Sequence, residues 1–433
     1  MTIPVFRFAP WQPAEQQLDH IAPAPLPSPF TPSVVLASVA VLLLLCFVSV
    51  GPLLWPQSHS TQWLSQVSLG PTTARAAKVV RDEGLWRPHG DVRSLRVADA
   101  NTERVRLHWP ALPEVKRYQL YRGSGLDAGL GLPLAISSTP YYEDRLQLRR
   151  ALYRYSIADA DTGLLLFSVE VRPQQAISEF EARLQGLIVG HKTTLPSTIM
   201  LPAHPLGTDA LGRDILARLM AGGATSLFVG VVAPLLFISL GCILGAIAGY
   251  AGGVVDQAIM RLADFVVALP FLLFMILFRV AFGIGPGENG IAPLILAMLV
   301  LSWPSSARLV RGQVLALKGQ PYVESALLSG LSTAAILARH ILPNVLPIIL
   351  VAFSFAIPQA IFTEAFLSFI GMGVSPPSTS WGAMCNDGIK TLLSHPRHML
   401  LPALFISISV LAFNILGDAL RDISDRRSGG VGR

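Results

Sequence analysis

Six stretches of this chain stay apolar for about as long as a helix needs to cross a bilayer, and this limits the fold more than any other feature. A hydrocarbon core takes about 20 apolar helical residues, because lipid offers no partner for an exposed backbone N–H or C=O. The runs are Ser33 to Trp55, Ala224 to Tyr250, Arg261 to Phe282, Ile291 to Ala307, Ile341 to Thr363 and Met399 to Gly417. Asp264 and Arg279 enclose the short core of the third, so they must lie near an interface or face protein. Pro270, Pro343, Pro347 and Pro358 fall in or beside runs, where neighbouring helices can satisfy the freed backbone groups. The expectation is a polytopic, all-α membrane protein of about six spans.

Composition agrees: of 433 residues, 52% are hydrophobic and only 14% charged, a balance unlike that of a soluble domain. The net charge of +6 is not gathered into a basic run interleaved with aromatics, so nucleic acid is not an expected partner. Cys46, Cys242 and Cys385 lie far apart and form neither a disulfide framework nor a metal spacing. The first run is too long for a signal-peptide core and no small-residue cleavage site follows it, so it is read as a retained span, residues 33–55, behind a tail at 1–32.

Between Trp55 and Ala224 lies a polar insert of about 165 residues, long enough for a folded module. In "VRLHWPAL", Val105, Leu107 and Trp109 share one strand face; "YQLYRG" follows closely, and Tyr153, Tyr155 and Ile157 alternate again before a turn-rich segment. Short strands separated by turns suggest a small all-β sandwich. Over about residues 93–172 the pattern resembles a fibronectin type III domain, with Trp109 as the early core tryptophan, Tyr118 and Tyr121 on the next strand and Tyr153 to Asp159 as the late strand. The insert is bounded at 56–203 and the helical core at 204–420.

Lys and Arg near span ends mark the cytoplasmic side. Arg308, Arg311, Lys318 and Arg339 lie between the fourth and fifth runs, and Arg421, Arg426, Arg427 and Arg433 in the tail at 421–433. Both segments are expected inside, which by parity also puts the N-terminus inside and the insert outside. The tail before the first run has only Arg7 against Glu15 and Asp19, so parity carries its orientation.

The inside loop, about residues 311–340, leads into the fifth run through "ESALLSGLSTAAILARHILPN", residues 324–344, an orderly segment with a central glycine where a plain connector would suffice. Gly330 permits a tight turn between two short helices, and Pro343 opens the next. Two such helices form a knob that can seat in a groove on a soluble partner. The spacing of Glu324, Ser325, Ala326, Gly330, Leu342 and Pro343 resembles the "EAA" loop of ATP-binding-cassette importer permeases, with Ser325 in place of the first alanine and His340 at an isoleucine position. "HPLGTDALGRDILARLMAGGATSLFVG", "GAIAGYAGGVVDQAIMRLADFVVALP", "TEAFLSFIGMGVSPPSTSWGAM" and "LAFNILGDALRD" resemble the dipeptide/oligopeptide (and nickel) permeases, specifically their C-type subunit, from His204 to Asp422. The insert is longer than that subunit type usually carries.

The resemblance implies a type I importer permease fold forming half of a translocation pore in a bacterial plasma (inner) membrane. It also implies a partner permease, cytosolic ATPase subunits that bind ATP-Mg, an external solute-binding protein and surrounding lipid. The solute class it implies is peptides or similar small molecules, with dipeptides, oligopeptides, nickel chelates and peptide antibiotics all open. An exporter, a stand-alone transporter and an anchored display protein are the alternatives.

No Walker A sequence occurs, nor any Gly-Lys dipeptide, so ATP hydrolysis is expected elsewhere and the chain is read as no enzyme, without cofactor or metal of its own. "GHKTT" at Gly190 is not a phosphate loop, and Lys192 reads as a surface charge. His204 and His398 lack converging partners in sequence and read as polar interface residues. Arg261 and Asp264 are one turn apart and read as a structural charge pair. Glu364, with Phe366 and Ser368, falls in a segment resembling the family's "EASLSFLGLG" and is the candidate for lining the path. Arg213 and Asp214 are read as part of an interfacial helix with Leu211, Ile215, Leu216 and Leu219.

Overall fold

The computed structural model describes residues 32–429 except 82, 125–128, 189–195 and 283–289. Arg7, Glu15 and Asp19 of the tail, Gly190, Lys192 and Arg433 lie outside the described residues, as do the side chains of Arg426 and Arg427.

Among the described residues five helices are long and apolar enough to cross a membrane, and one bent pair makes a sixth unit. Helix α1 (Pro32–Ser49) runs into a short α2 (Gly51–Leu54). Helix α4 (Ile215–Ala251) is 37 residues long, about 55 Å at 1.5 Å per residue. Helices α7 (Ile291–Lys318), α10 (Leu342–Phe369) and α12 (Arg397–Gly429) follow, each longer than the apolar run that announced it.

The third run is not a straight span. Helices α5 (Gly253–Ala268) and α6 (Phe271–Ala281) meet at 91°. Leu269 is extended at φ −72° and ψ 128° because it precedes Pro270, whose ring disfavours a helical predecessor, and its N–H closes α5 by donating to Val266 O.

Helix α4 is the hub, and glycines set how closely it is approached. At Gly241, Gly245 and Gly249, four residues apart on one face, a Cβ would come within 2.6, 2.3 and 2.9 Å of Ser306, Ala307 and Val314 on α7. Backbones pack this closely only over a stripe without side chains, the usual means of helix association in lipid. At the other end of α4, Leu44 and Val48 of α1 join Ile215, Leu219 and Leu227 of α4, Ile357 and Ile361 of α10, and Trp381 in one apolar cluster. Trp381 opens α11 (Trp381–Ile389), which packs against α10 and α12.

The insert is β-rich. Strands β2 (Arg96–Ala100), β3 (Val105–His108) and β6 (Tyr141–Asp144) form one sheet in the order β2-β3-β6. Strands β4 (Tyr118–Ser124), β5 (Leu132–Ser137), β7 (Tyr153–Asp159) and β8 (Leu165–Val171) form another, ordered β5-β4-β7-β8. Both contribute to one cluster: Val105, Leu107 and Trp109 on one side, Tyr118, Leu120, Tyr155, Ile157 and Val171 on the other. The Tyr155 hydroxyl donates to Asp144 Oδ2 at 2.7 Å and Arg122 donates to the same oxygen at 2.8 Å, so the buried carboxylate pins the sheets together.

A third sheet lies outside the fibronectin-like window. Strands β1 (Arg75–Val80), β9 (Ala176–Ser178) and β10 (Thr198–Leu201) order as β10-β1-β9, with α3 (Glu179–Leu184) following β9. Residues 204–214 are woven into this unit: Thr72 bridges His204, Ser68 N–H donates to Asp209 O, and Trp63 N–H to Gly212 O.

Candidate functional site

At the end of the bundle away from the insert, α7 is followed by α8 (Pro321–Leu328), a turn at Gly330, α9 (Thr333–Ile336) and one π turn, Leu337–Ile341, leading into α10. Ser332 caps α9 by accepting from Ala335 N–H at 3.3 Å. Gly330 sits at φ +77° with nothing within 4 Å of where a Cβ would be, so the conformation, not space, requires glycine here. Val323, Ala326, Ile336, Ile341 and Val345 face inward onto Ala246, Val310 and Val314. The opposite face shows Glu324 and Ser325 to solvent together with Tyr322, Leu327 and, most openly, Leu328 at 89% exposure. One side anchors the knob and the other presents apolar surface around a carboxylate. Leu342 and Pro343 form the first turn of α10.

Charge pairs tie this end to its neighbours. Arg308 donates to Asp264 at 2.8 Å, closer than the 3.7 Å separating Arg261 from Asp264. Asp264 thus belongs mainly to a bridge between α5 and α7, and Arg261, with 86% of its side chain exposed, to the surface.

Glu364 is wholly buried. Ser226 Oγ of α4 donates to its Oε2 and Ser368 Oγ to its Oε1, each at 2.7 Å, and Ser380 also hydrogen-bonds to it. The backbone N–H of Trp381 reaches the Ser226 hydroxyl at 3.3 Å and that of Val374 the Ser368 hydroxyl at 3.1 Å. Each of these two serines therefore accepts a hydrogen bond from the backbone and donates one to the carboxylate. The arrangement clamps α4, α10 and the start of α11 together. Within this chain Glu364 and Ser368 have no open face onto a path, whereas Phe366 is 46% exposed.

The insert end holds a second polar cluster. Arg213 and Arg218 both donate to Asp209 Oδ2, at 2.7 and 2.5 Å, and both reach Asp387 Oδ2, at 2.9 and 3.0 Å. Burial alone would raise the Asp209 carboxyl, but Arg218 and Arg213 outweigh it and hold the group below its ordinary value. Asp214 caps α4, accepting from Ala217 N–H at 2.7 Å, and its other oxygen meets His204 Nδ1 at 2.6 Å. The interfacial-helix expectation fails here: residues before Ile215 form turns, and Ile215 and Leu219 point into the protein at 1% and 0% exposure. The partner Asp387 is 174 residues from Arg213, which left the motif "GTDALGRD" without a visible counterpart in sequence.

These features define a polytopic helical membrane protein with a projecting two-helix knob at one end and a braced, insert-bearing face at the other. The family described as "Binding-protein-dependent transport system inner membrane component" matches residues 241–429. The oligopeptide transport system permease protein OppC of Bacillus subtilis is 45% identical over 51% of this chain and 71% of its own length. The dipeptide transport system permease protein DppC of the same organism is 44% identical over 51% and 68%. The glutathione transport system permease protein GsiD of Pectobacterium atrosepticum is 43% identical over 52% and 72%. The chain belongs to this family of transport-system inner membrane components and is a permease subunit of an ATP-binding-cassette importer.

Proposed function

We propose that the chain forms one half of a pore that imports short peptides or closely similar solutes, paired with a second permease and driven by separate ATPase subunits. The observation that carries this reading is the knob from α8 to α9: an inward face locked to α7 and α10, and an exposed outward face of Glu324, Ser325, Tyr322, Leu327 and Leu328. Closure of the ATPases would swing the knob and, through α10, bias the pore between two conformations. Glu324, Ser325, Ala326, Gly330, Leu342 and Pro343 are its coupling residues. ATP-Mg belongs to the partners.

In this reading the knob and both termini face the cytoplasm, and the insert faces outward, where a solute-binding protein delivers its cargo. Residues 93–172 form a fibronectin type III-like sandwich that docks this protein or an envelope component. The exposed apolar flank of α1, including Leu36, Leu42 and Leu43, meets lipid or the partner permease. Glu364 and Ser368 brace the pore wall, while Phe366 is exposed to meet the path or the partner.

The test is to purify the C-terminally tagged protein gently from native membranes, with and without an ATP analogue, and identify its companions by mass spectrometry. A P-loop ATPase, a second permease and a solute-binding protein are expected, and the ligand on the last names the solute. A reproducible lack of any ATPase would return the knob to a connector and favour a stand-alone transporter or display protein. Deleting residues 93–172 without change in uptake or partner affinity would remove the docking role.

A further inference from the structure

The insert contains a cleft of about 870 Å³, within the range of small-molecule sites. It lies where α3 and the β1–β9 edge meet the turn after β2 and the segment following β6. Its charged walls are unusual. Arg75, Arg145, Arg149 and Arg150 line it, and so do Glu103 and Glu181.

Two like-charge neighbourhoods of opposite sign face this one space. Arg75 is half-buried, and its Nε is shut from solvent without a hydrogen-bond partner among the described residues. Burial, and then the neighbouring Arg150, lower its guanidinium below the ordinary value. On the acidic side, burial and then Glu181 push the Glu103 carboxyl up to about 7, against the pull of Arg145. Protein groups left in this state gain from a ligand of opposite charge, because the cost of desolvating an ion is recovered only by pairing it. Phe180 and Leu184 add exposed apolar surface on the α3 wall, at 75% and 68% exposure.

We infer that this cleft is a binding site for a short zwitterion, a molecule with a carboxylate for Arg75 and Arg150, an ammonium for Glu103 and Glu181, and a small apolar body against Phe180 and Leu184. Glu181 already accepts from the backbone N–H and hydroxyl of Ser65, so a plain anion would leave Glu103 unrelieved, and a plain cation would leave Arg75 so. The site is separate from the membrane core, so its failure would leave the importer reading intact.

The probe is tri-alanine with free ends, titrated by calorimetry into the full-length protein in detergent. Saturable one-to-one binding is expected, weakened about tenfold or more when either end is capped by acetylation or amidation, a loss of about 1.4 kcal/mol or more. Arg150→Gln, at an exposed side chain whose change does not threaten folding, should weaken binding to a similar degree, as should Arg75→Gln. Peptide should also slow backbone hydrogen exchange at residues 101–104 and 145–150, which separates this site from any in the pore. The inference is overturned by an absence of saturation up to about 10 mM, by capped peptides binding equally, by an unaffected Arg150→Gln protein, or by acetate alone competing as well as the peptide.

Discussion

Arg311 of α7 donates from Nη2 to Asp256 Oδ2 of α5 at 2.6 Å, with a second bond from its Nε to the other oxygen. The planar fork of arginine matches a carboxylate in this bidentate way, which fixes direction as well as distance. The bond holds the first turn of α5 against α7, so under the proposed mechanism a displaced knob would pull on α5 through it. Asp256→Asn or Arg311→Ala should reduce transport severalfold at normal membrane insertion. The charge-swapped double variant Asp256→Arg/Arg311→Asp should recover part of the loss. Uptake assays at matched expression check this; a double variant no better than the sum of the singles would show no direct coupling.

The turn at Gly330 discriminates by backbone preference, since no neighbouring atom crowds the position. A β-branched residue held at φ +77° costs about 1–2 kcal/mol, and proline, fixed near −65°, cannot adopt it at all. Gly330→Pro and Gly330→Val should therefore lose ATP-driven uptake while the protein still inserts. Gly330→Asn, whose side chain tolerates the left-handed region, should keep most of it. Equal uptake by all three variants would detach the turn from coupling.

The long apolar helices were legible because lipid enforces a length and an apolar composition that few other environments do. Ser33 to Trp55 and Ala224 to Tyr250 stand out for that reason. The knob was legible because Gly330 and Pro343 punctuate it. The bend at Pro270 was less so: the residue was visible, but whether neighbours repair the break depends on packing that sequence does not show. The clamp around Glu364 was hidden for a related cause, since its partners Ser226 and Ser380 come from different elements and serine is unremarkable in any of them. The strands at Arg75–Val80 and Thr198–Leu201 pair across more than a hundred residues, and neither is long enough to declare itself alone.

The raised carboxyl of Glu103 makes the insert pH-sensitive in a definite direction. Its folded value of about 7 lies above the ordinary glutamate value of 4.5. Between the two, the folded state keeps a proton that the unfolded state has lost, so stability falls as pH rises through this window. Each unit of separation contributes on the order of 1.4 kcal/mol. Local hydrogen exchange at residues 101–108 should be more protected, after correction for intrinsic rates, at pH 5 than at pH 7.5. Glu103→Gln should flatten the difference. The same slope in the variant would assign the effect to another group.

Glu364 invites a test that separates bracing from contact with solute. Replacement by alanine leaves the Ser226 and Ser368 hydroxyls without their acceptor in a site closed to water, at about 1–3 kcal/mol for each unsatisfied group. Glu364→Ala should therefore lower the melting temperature of the detergent-solubilised protein and its yield. Glu364→Gln keeps one carbonyl oxygen for a serine and fills the same space, so it should recover most of that stability. If the residue is only a brace, uptake should track stability, and Glu364→Gln should transport at close to the parent rate. A Glu364→Gln protein of unaltered melting temperature but severely reduced uptake would instead place the carboxylate on the path, in a conformation that opens the serine cage.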